Sequence, residues 1–247
     1  QLAQQARGNF LLFLDADDQV YDGLINSAVH RMYFRNLALL SLFANQQMGT
    51  FAEKVTVPLM HYILLNLLPL KLIYLVRNPM VAAASGQFML FDAELYRQNQ
   101  WHSLTKDKTV EDAEIMRQVK SAGFNSESLL ANGMVSCRMY KGYSGAVNGF
   151  GKNALAAFNF NIFSFLIFLL LLIGGPMIVI TTLNLNLITM MLGLILLPRV
   201  MIYLLAGQSA MRNVLLHPIQ MFNLLVIAFF AIQRYLTKTT TWKGRSV

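Results

Sequence analysis

Hydrophobic and polar positions change their period about two thirds of the way along the chain. Up to about residue 150, short apolar runs alternate with helical stripes. Phe10 to Leu14 is an apolar run that leads straight into acids, which reads as a buried strand opening at its carboxyl end. Leu24, Ile25, Ala28, Val29 and Met32 then form a helical stripe. Leu37 to Phe43 and Gly86 to Phe91 are further strands. Glu111 to Ala122 reads as a helix with Ile115, Val119 and Ala122 on one face and Gly123 as its C-cap. Strands separated by helices predict an α/β sheet, with ligands at the carboxyl ends of its strands.

Beyond residue 150 the pattern becomes continuous. No charge occurs between Lys152 and Arg199. Three apolar runs, about 155–180, 187–206 and 214–232, each approach the ~20 residues that a span needs. Gly174-Gly175-Pro176 breaks the first near its end, Pro198-Arg199 interrupts the second, and His217-Pro218 lies in the third. Two runs read as spans. The third reads either as a span or as an in-plane or re-entrant segment. A fourth stretch, Val57 to Val76, carries His61, Lys71 and two prolines. It reads as an amphipathic segment packed on the polar domain or lying on the membrane surface.

Composition agrees. Of 247 residues, 55% are hydrophobic and 13% charged, against roughly 25% charged in soluble domains. This excludes a disordered chain and a disulfide-stapled module, because Cys137 is the lone cysteine. All twelve acids lie at or before Glu127, among eleven basic residues, whereas 128–247 holds nine basic residues and no acid. A basic, acid-free, apolar half suits an anionic membrane face. It does not suit nucleic acid, since the basic residues form no stripe. Lys152 and its basic neighbours place the preceding half in the cytoplasm. Arg199 is expected to snorkel to the interface, and Trp242 to anchor there. The organisation is therefore a polar α/β domain over 1–153, a membrane region of two to three helices over 154–235, and a basic tail over 236–247.

Three clusters carry candidate chemistry. In Asp15-Ala16-Asp17-Asp18, carboxylates two apart at a strand end can converge on a hard divalent cation, which would neutralise a leaving diphosphate. The same residues also read as a solvated turn in which Asp18 or Asp22 caps the next helix. In Glu111-Asp112, a helix N-terminus favours a carboxylate anion able to take a proton from a hydroxyl; it also reads as ordinary first-turn charge. In Cys137-Arg138-Met139-Tyr140-Lys141 and Gly149-Phe150-Gly151-Lys152-Asn153, basic groups can contact a diphosphate or form a positive-inside flank. His102 reads equally as a surface residue.

In order, these motifs resemble membrane-bound glycosyltransferases of family 2. Ala6-Arg7-Gly8-Asn9-Phe10-Leu11-Leu12-Phe13-Leu14-Asp15-Ala16-Asp17 resembles the family's strand ending in D-A-D. Ser85-Gly86-Gln87-Phe88-Met89-Leu90 resembles its acceptor strand, and Glu111-Asp112 its catalytic pair. Arg138-Met139-Tyr140, Gly149-Phe150-x-Lys152-Asn153 and Trp242-Lys243-Gly244-Arg245 resemble the subgroup acting on carotenoid or other polyisoprenoid lipids, near the ceramide and hopanoid enzymes. The resemblance implies a GT-A fold, a Rossmann-like α/β domain followed by C-terminal transmembrane helices. It implies Mg2+ or Mn2+ at Asp15 and Asp17, and Asp112 with Glu111 as the catalytic carboxylates of an inverting transfer. Gly86, Gln87, Arg138, Tyr140 and Lys152 are implied as donor- and acceptor-binding. The partners implied are a nucleotide-diphosphate sugar, a membrane lipid acceptor and the bilayer.

The family's nucleotide-binding first strand is expected some tens of residues before Asp15, and fourteen precede it here. The expectation is thus a GT-A domain truncated at its N-terminus. A processive synthase is disfavoured, because Cys137-Arg138-Met139-Tyr140 stands where Gln-x-x-Arg-Trp would be. A non-catalytic membrane protein that retains the spans is the reading from another class.

Overall fold

The structure, a computed structural model, describes residues 2–105, 108, 110–237, 241–242 and 245–246. Lys238, Lys243 and Gly244, which fall in the expected basic tail, lie outside the described residues. The chain forms two compact units: Gln1–Gln47 with Leu64–Met139, and Met48–Ile63 with Tyr140–Val247. The class is mixed α/β with several long apolar helices.

The first unit is built on a four-stranded sheet. Its strands are β1 (Phe10–Leu14), β3 (Leu39–Phe43), β5 (Phe88–Asp92) and β6 (Ser126–Leu130), in the order β1-β5-β3-β6. β1, β3 and β6 run one way and β5 runs against them. Every residue of β3 is buried, because its side chains meet packed layers on both faces. On one side Leu39, Phe43, Met89 and Phe91 join Ile115, Met116 and Val119 of the Glu111–Ser121 helix. On the other, Leu40, Leu42, Phe88 and Leu90 join Leu24, Ala28 and Met32 of the Leu24–Arg35 helix.

β1 differs from its expected burial. It is an edge strand, with Leu12 and Leu14 about two fifths exposed, because the sheet ends there. Ile25 is likewise exposed. Met116, not Ala122, completes the buried face of the Glu111–Ser121 helix. Neither Asp18 nor Asp22 caps the Leu24–Arg35 helix. The chain enters it through Gly23 at φ 85°, with no side-chain cap. Gly123 does end its helix as expected. At φ 82° it lets its own N–H reach Lys120 and the Phe124 N–H reach Val119.

A smaller sheet stands beyond the carboxyl ends of β1 and β3. It pairs β2 (Asp18–Val20), β7 (Val135–Cys137) and β4 (Asn45–Gln46) in the order β2-β7-β4. Two charged contacts lock the layers. Lys120 Nζ donates to the carbonyls of Ile73 and Val81. Arg31 grips Glu127 through Nε and Nη2 at 2.6 and 2.7 Å, and the Glu127 side chain is nearly buried.

In the second unit, the run expected over 155–180 is two elements. Tyr143–Ala156 is one helix, and Asn161 then caps a second that reaches Thr181. Gly174-Gly175-Pro176 does not break it. Leu170–Gly174 widens into one π turn, in which the Gly175 N–H reaches back to Leu170, and this absorbs the missing donor of Pro176. His217-Pro218 starts rather than interrupts the last helix, His217–Thr237, where a proline's absent N–H is harmless. Among the described residues, four segments are long and apolar enough to cross a membrane: Phe51–Leu75, Ile162–Thr181, Leu185–Leu205 and His217–Thr237. The second and third leave Leu170, Leu171, Ile178, Leu194 and Leu197 exposed, an apolar surface that needs a non-aqueous neighbour. Phe51–Leu75 differs from them. It is divided into Phe51–Thr56, Pro58–Leu67 and Lys71–Leu75, and it buries Glu53, Thr56 and His61 within the protein.

Two expected outcomes test this packing, both read as thermal or denaturant unfolding of the full chain in detergent. Arg31→Ala strands the Glu127 carboxylate and is expected to cost about 1–3 kcal/mol. In the second unit, a Cβ on Gly149 would overlap the Tyr140 ring, which is packed edge-on to Phe150. Gly149→Ala is therefore expected to cost about 1–3 kcal/mol, and Tyr140→Ala in the same chain should recover most of it.

Candidate functional site

The antiparallel course of β5 assembles the site. Because β5 runs against β1 and β3, the segment leading into it lies beside their carboxyl ends. Ser41, in the middle of β3, fixes that segment: its hydroxyl donates to the Ser85 carbonyl at 3.0 Å and accepts the Ser85 N–H at 2.8 Å. Gly86 and Gln87 follow. The Gly86 N–H donates to Asp112 Oδ2 at 3.0 Å. The Gln87 carbonyl accepts the Asp15 N–H at 3.2 Å. One dipeptide thus bonds the Asp112 carboxylate and the backbone of the Asp15 loop, although the two lie almost a hundred residues apart.

Asp112 sits in the first turn of the Glu111–Ser121 helix, beside Glu111 and Glu114. Its second oxygen accepts the Ala113 N–H at 2.8 Å. Two N–H groups therefore orient the carboxylate at a positive helix end. Glu111 is exposed.

The acidic loop turns by an Asp18 N–H to Asp15 carbonyl bond of 3.2 Å and passes into β2, where Asp18 stands opposite Cys137 of β7. Ligand atoms of Asp17, Asp18 and Cys137 all lie within 4.8 Å of one another. Asp15 is outside this group. The Cys137 thiol donates to Asp17 Oδ2 at 3.6 Å. Burial, reinforced by the charges of Asp15 and Asp17, pushes the Asp18 carboxyl up to about 6. Both of its oxygens are buried without a hydrogen-bond partner. Burial and then the charges of Asp17 and Asp18 push Cys137 up to about 12, so it stays a thiol. Gln87 belongs to the same floor. Its Oε1 accepts from Ser85 Oγ and Gln46 Nε2, while its Nε2 is buried without a partner.

The donor set fits a hard divalent cation in part. Asp17 and Asp18 offer oxygens, and the partnerless Asp18 carboxylate is a group that a cation would compensate. A protonated thiol adds nothing to a Mg2+ or Mn2+ shell. Asp18 and Cys137 were outside the expected metal pair. The signal in the sequence was the cysteine that opens the basic motif, and only the pairing of β2 with β7 carries it to the acidic loop.

Arg138 follows Cys137 in the first unit and is half-buried. Tyr140 and Lys152 belong to the second unit. His102 is not a surface residue. It stacks on Phe13 at 4.4 Å and bonds the Tyr96 hydroxyl at 2.9 Å, and burial lowers its pKa. Neither a known protein family nor a curated protein matches the chain.

The Asp18 carboxyl generates a pH prediction. Its folded pKa lies above the ordinary 3.8, so the folded state binds that proton more tightly than the unfolded state. Its contribution to stability therefore grows as pH falls from above 6 towards 4, and is lost as pH rises through 6. In metal-free protein, Asp18→Asn is expected to flatten this component of the melting-temperature profile. Mn2+ is expected to raise the melting temperature more at pH 7.5 than at pH 5.

Proposed function

We propose that the chain is a membrane-associated glycosyltransferase of GT-A type. It moves a sugar from a nucleotide diphosphate to a hydroxyl or carboxyl group of a membrane lipid. The observation that carries this reading is the Gly86-Gln87 bridge between the Asp15 loop and Asp112. It supports a site with a cation-binding end, which would neutralise the leaving group, and a proton-accepting end at one sheet edge. The exposed apolar helices support a lipid partner. So does an apolar groove of about 290 Å3 lined by Gly175, Pro176, Leu187, Met190 and Leu194.

In this reaction Asp112 takes the proton of the acceptor hydroxyl. The acceptor oxygen forms a bond to the anomeric carbon from the face opposite the leaving group, with inversion. The bond from that carbon to the diphosphate oxygen breaks, and the nucleoside diphosphate leaves with the electron pair. Asp17, with Asp18 or Asp15, would hold a Mg2+ or Mn2+ ion, which would supply positive charge for a departing diphosphate. The Gly86 N–H holds Asp112 in place, and Arg138 adds charge beside the loop. Tyr140 and Lys152 are assigned to donor or acceptor contacts from the resemblance.

The test is sugar transfer from labelled nucleotide sugars into extracted lipid, measured with the natural full-length protein. Asp112→Asn is expected to lower the rate about 10²–10⁴-fold with little change in melting temperature. Asp17→Asn is expected to lower it further at limiting metal than at saturating metal. Survival of transfer in both variants would overturn the assignment.

A further inference from the structure

Arg199 is expected at an interface and is instead completely buried, at 0% exposure, next to Pro198 in the Leu185–Leu205 helix. The Tyr62 ring covers its guanidinium at 4.1 Å and Tyr203 flanks it at 5.4 Å. Its Nη1 donates to the Asn213 carbonyl at 3.1 Å and to Gln220 Oε1 at 2.5 Å. Gln220 is itself fixed, since its Nε2 donates to Asn213 Oδ1 at 2.8 Å and to the Lys54 carbonyl at 3.0 Å. The guanidinium is therefore clamped at one end.

The other edge donates no hydrogen bond, although the Tyr62 side chain also stabilises the charge. Nε and Nη2 of Arg199 are buried and make no hydrogen bond. These two N–H groups form one planar fork, matched to two oxygens of a carboxylate or phosphate. Arg31 uses the same edge on Glu127. Among the described residues, no hydrogen bond brings a carboxylate of the second unit to that edge. Its one acid is Glu53, whose oxygens take the Gly49 N–H at 2.7 Å and the Thr50 hydroxyl at 2.9 Å. Beside the fork, His217 meets Tyr62 edge-on at 6.3 Å, and its Nδ1 is also buried without a partner. A buried charge left in this state is costly, and intramembrane charges mark binding sites by that logic.

We propose that the Arg199 fork, with His217 beside it, is a receptor for a phosphate group, two of whose oxygens accept the Nε–H and Nη2–H. The group enters on the side of His217, which is only partly buried. Arg199 and His217 both lie in candidate spans, which favours a phosphate carried by a membrane lipid. This inference stands whether or not the Asp15 loop supports sugar transfer.

The test uses the full chain in phosphatidylcholine nanodiscs, where the bulk phosphate carries its own cation, with and without phosphatidic acid. Wild type is expected to melt higher with phosphatidic acid and to retain it through native mass spectrometry in preference to diacylglycerol. Arg199→Lys, which keeps the charge and loses the fork, is expected to lower retention about tenfold. Inorganic phosphate added to discs without phosphatidic acid separates the sources: stabilisation equal to that from the lipid keeps the fork and overturns its lipid assignment. Wild-type protein indifferent to both phosphatidic acid and phosphate overturns the receptor, and this arm needs no variant. Retention by Arg199→Lys equal to wild type overturns the role of the fork.

Discussion

The candidate site depends on a hydrogen-bond pair between a central strand and the segment that leads into its neighbour. Ser41 sits at the centre of a strand that is otherwise apolar, and it gives and takes a hydrogen bond with the Ser85 backbone. A buried hydroxyl is usually satisfied, and Ser41 is satisfied by the segment before β5 lying against β3. That segment then presents the Gly86 N–H to Asp112 and the Gln87 carbonyl to the Asp15 N–H. A polar residue within the core thus sets the spacing of the carboxylates at its edge.

The acidic loop and the apolar helices share a feature: each buries polar groups that the protein leaves partnerless. Under the loop these are Asp18, which stands opposite Cys137, and the Gln87 amide. Among the helices they are Arg199 and His217, beside Tyr62. Native proteins leave few such groups. Single atoms of Arg35, Gln118, Ser126 and Arg212 are buried without a partner elsewhere, but only Asp18 and Arg199 have two such atoms on one charged group. The surrounding elements are well satisfied by contrast. Lys120, Glu127, Glu53 and Asn223 are each held by fixed partners.

Local pattern recovered the elements whose burial is one-sided or total. β3 and β5 are apolar on both faces, and the Glu111–Ser121 helix carries its acids first and its glycine last, so each was legible from spacing. The same pattern misjudged β1. An apolar pentapeptide reads as buried, and edge position is a property of the neighbours. It also took Gly174-Gly175-Pro176 and His217-Pro218 as interruptions. Helices absorb a proline at the first turn or through a π turn, and which of these happens depends on register.

The sequence by itself determined the division into a carboxylate-bearing α/β part and an acid-free apolar part. It also placed Asp15, Asp17 and Asp112 at strand or helix ends, because hydrophobic period and capping are local. Only the tertiary structure decided which groups meet. β2 pairing with β7 carries Cys137 to Asp17 and Asp18, 119 and 120 positions being closed by a ladder rather than by the chain. Helix packing turned Arg199 inward, onto Tyr62 and Gln220, instead of outward to an interface. Both outcomes follow from long-range contacts, whose partners are set by packing and hydrogen-bond satisfaction over the whole fold, and no spacing within either segment encodes them.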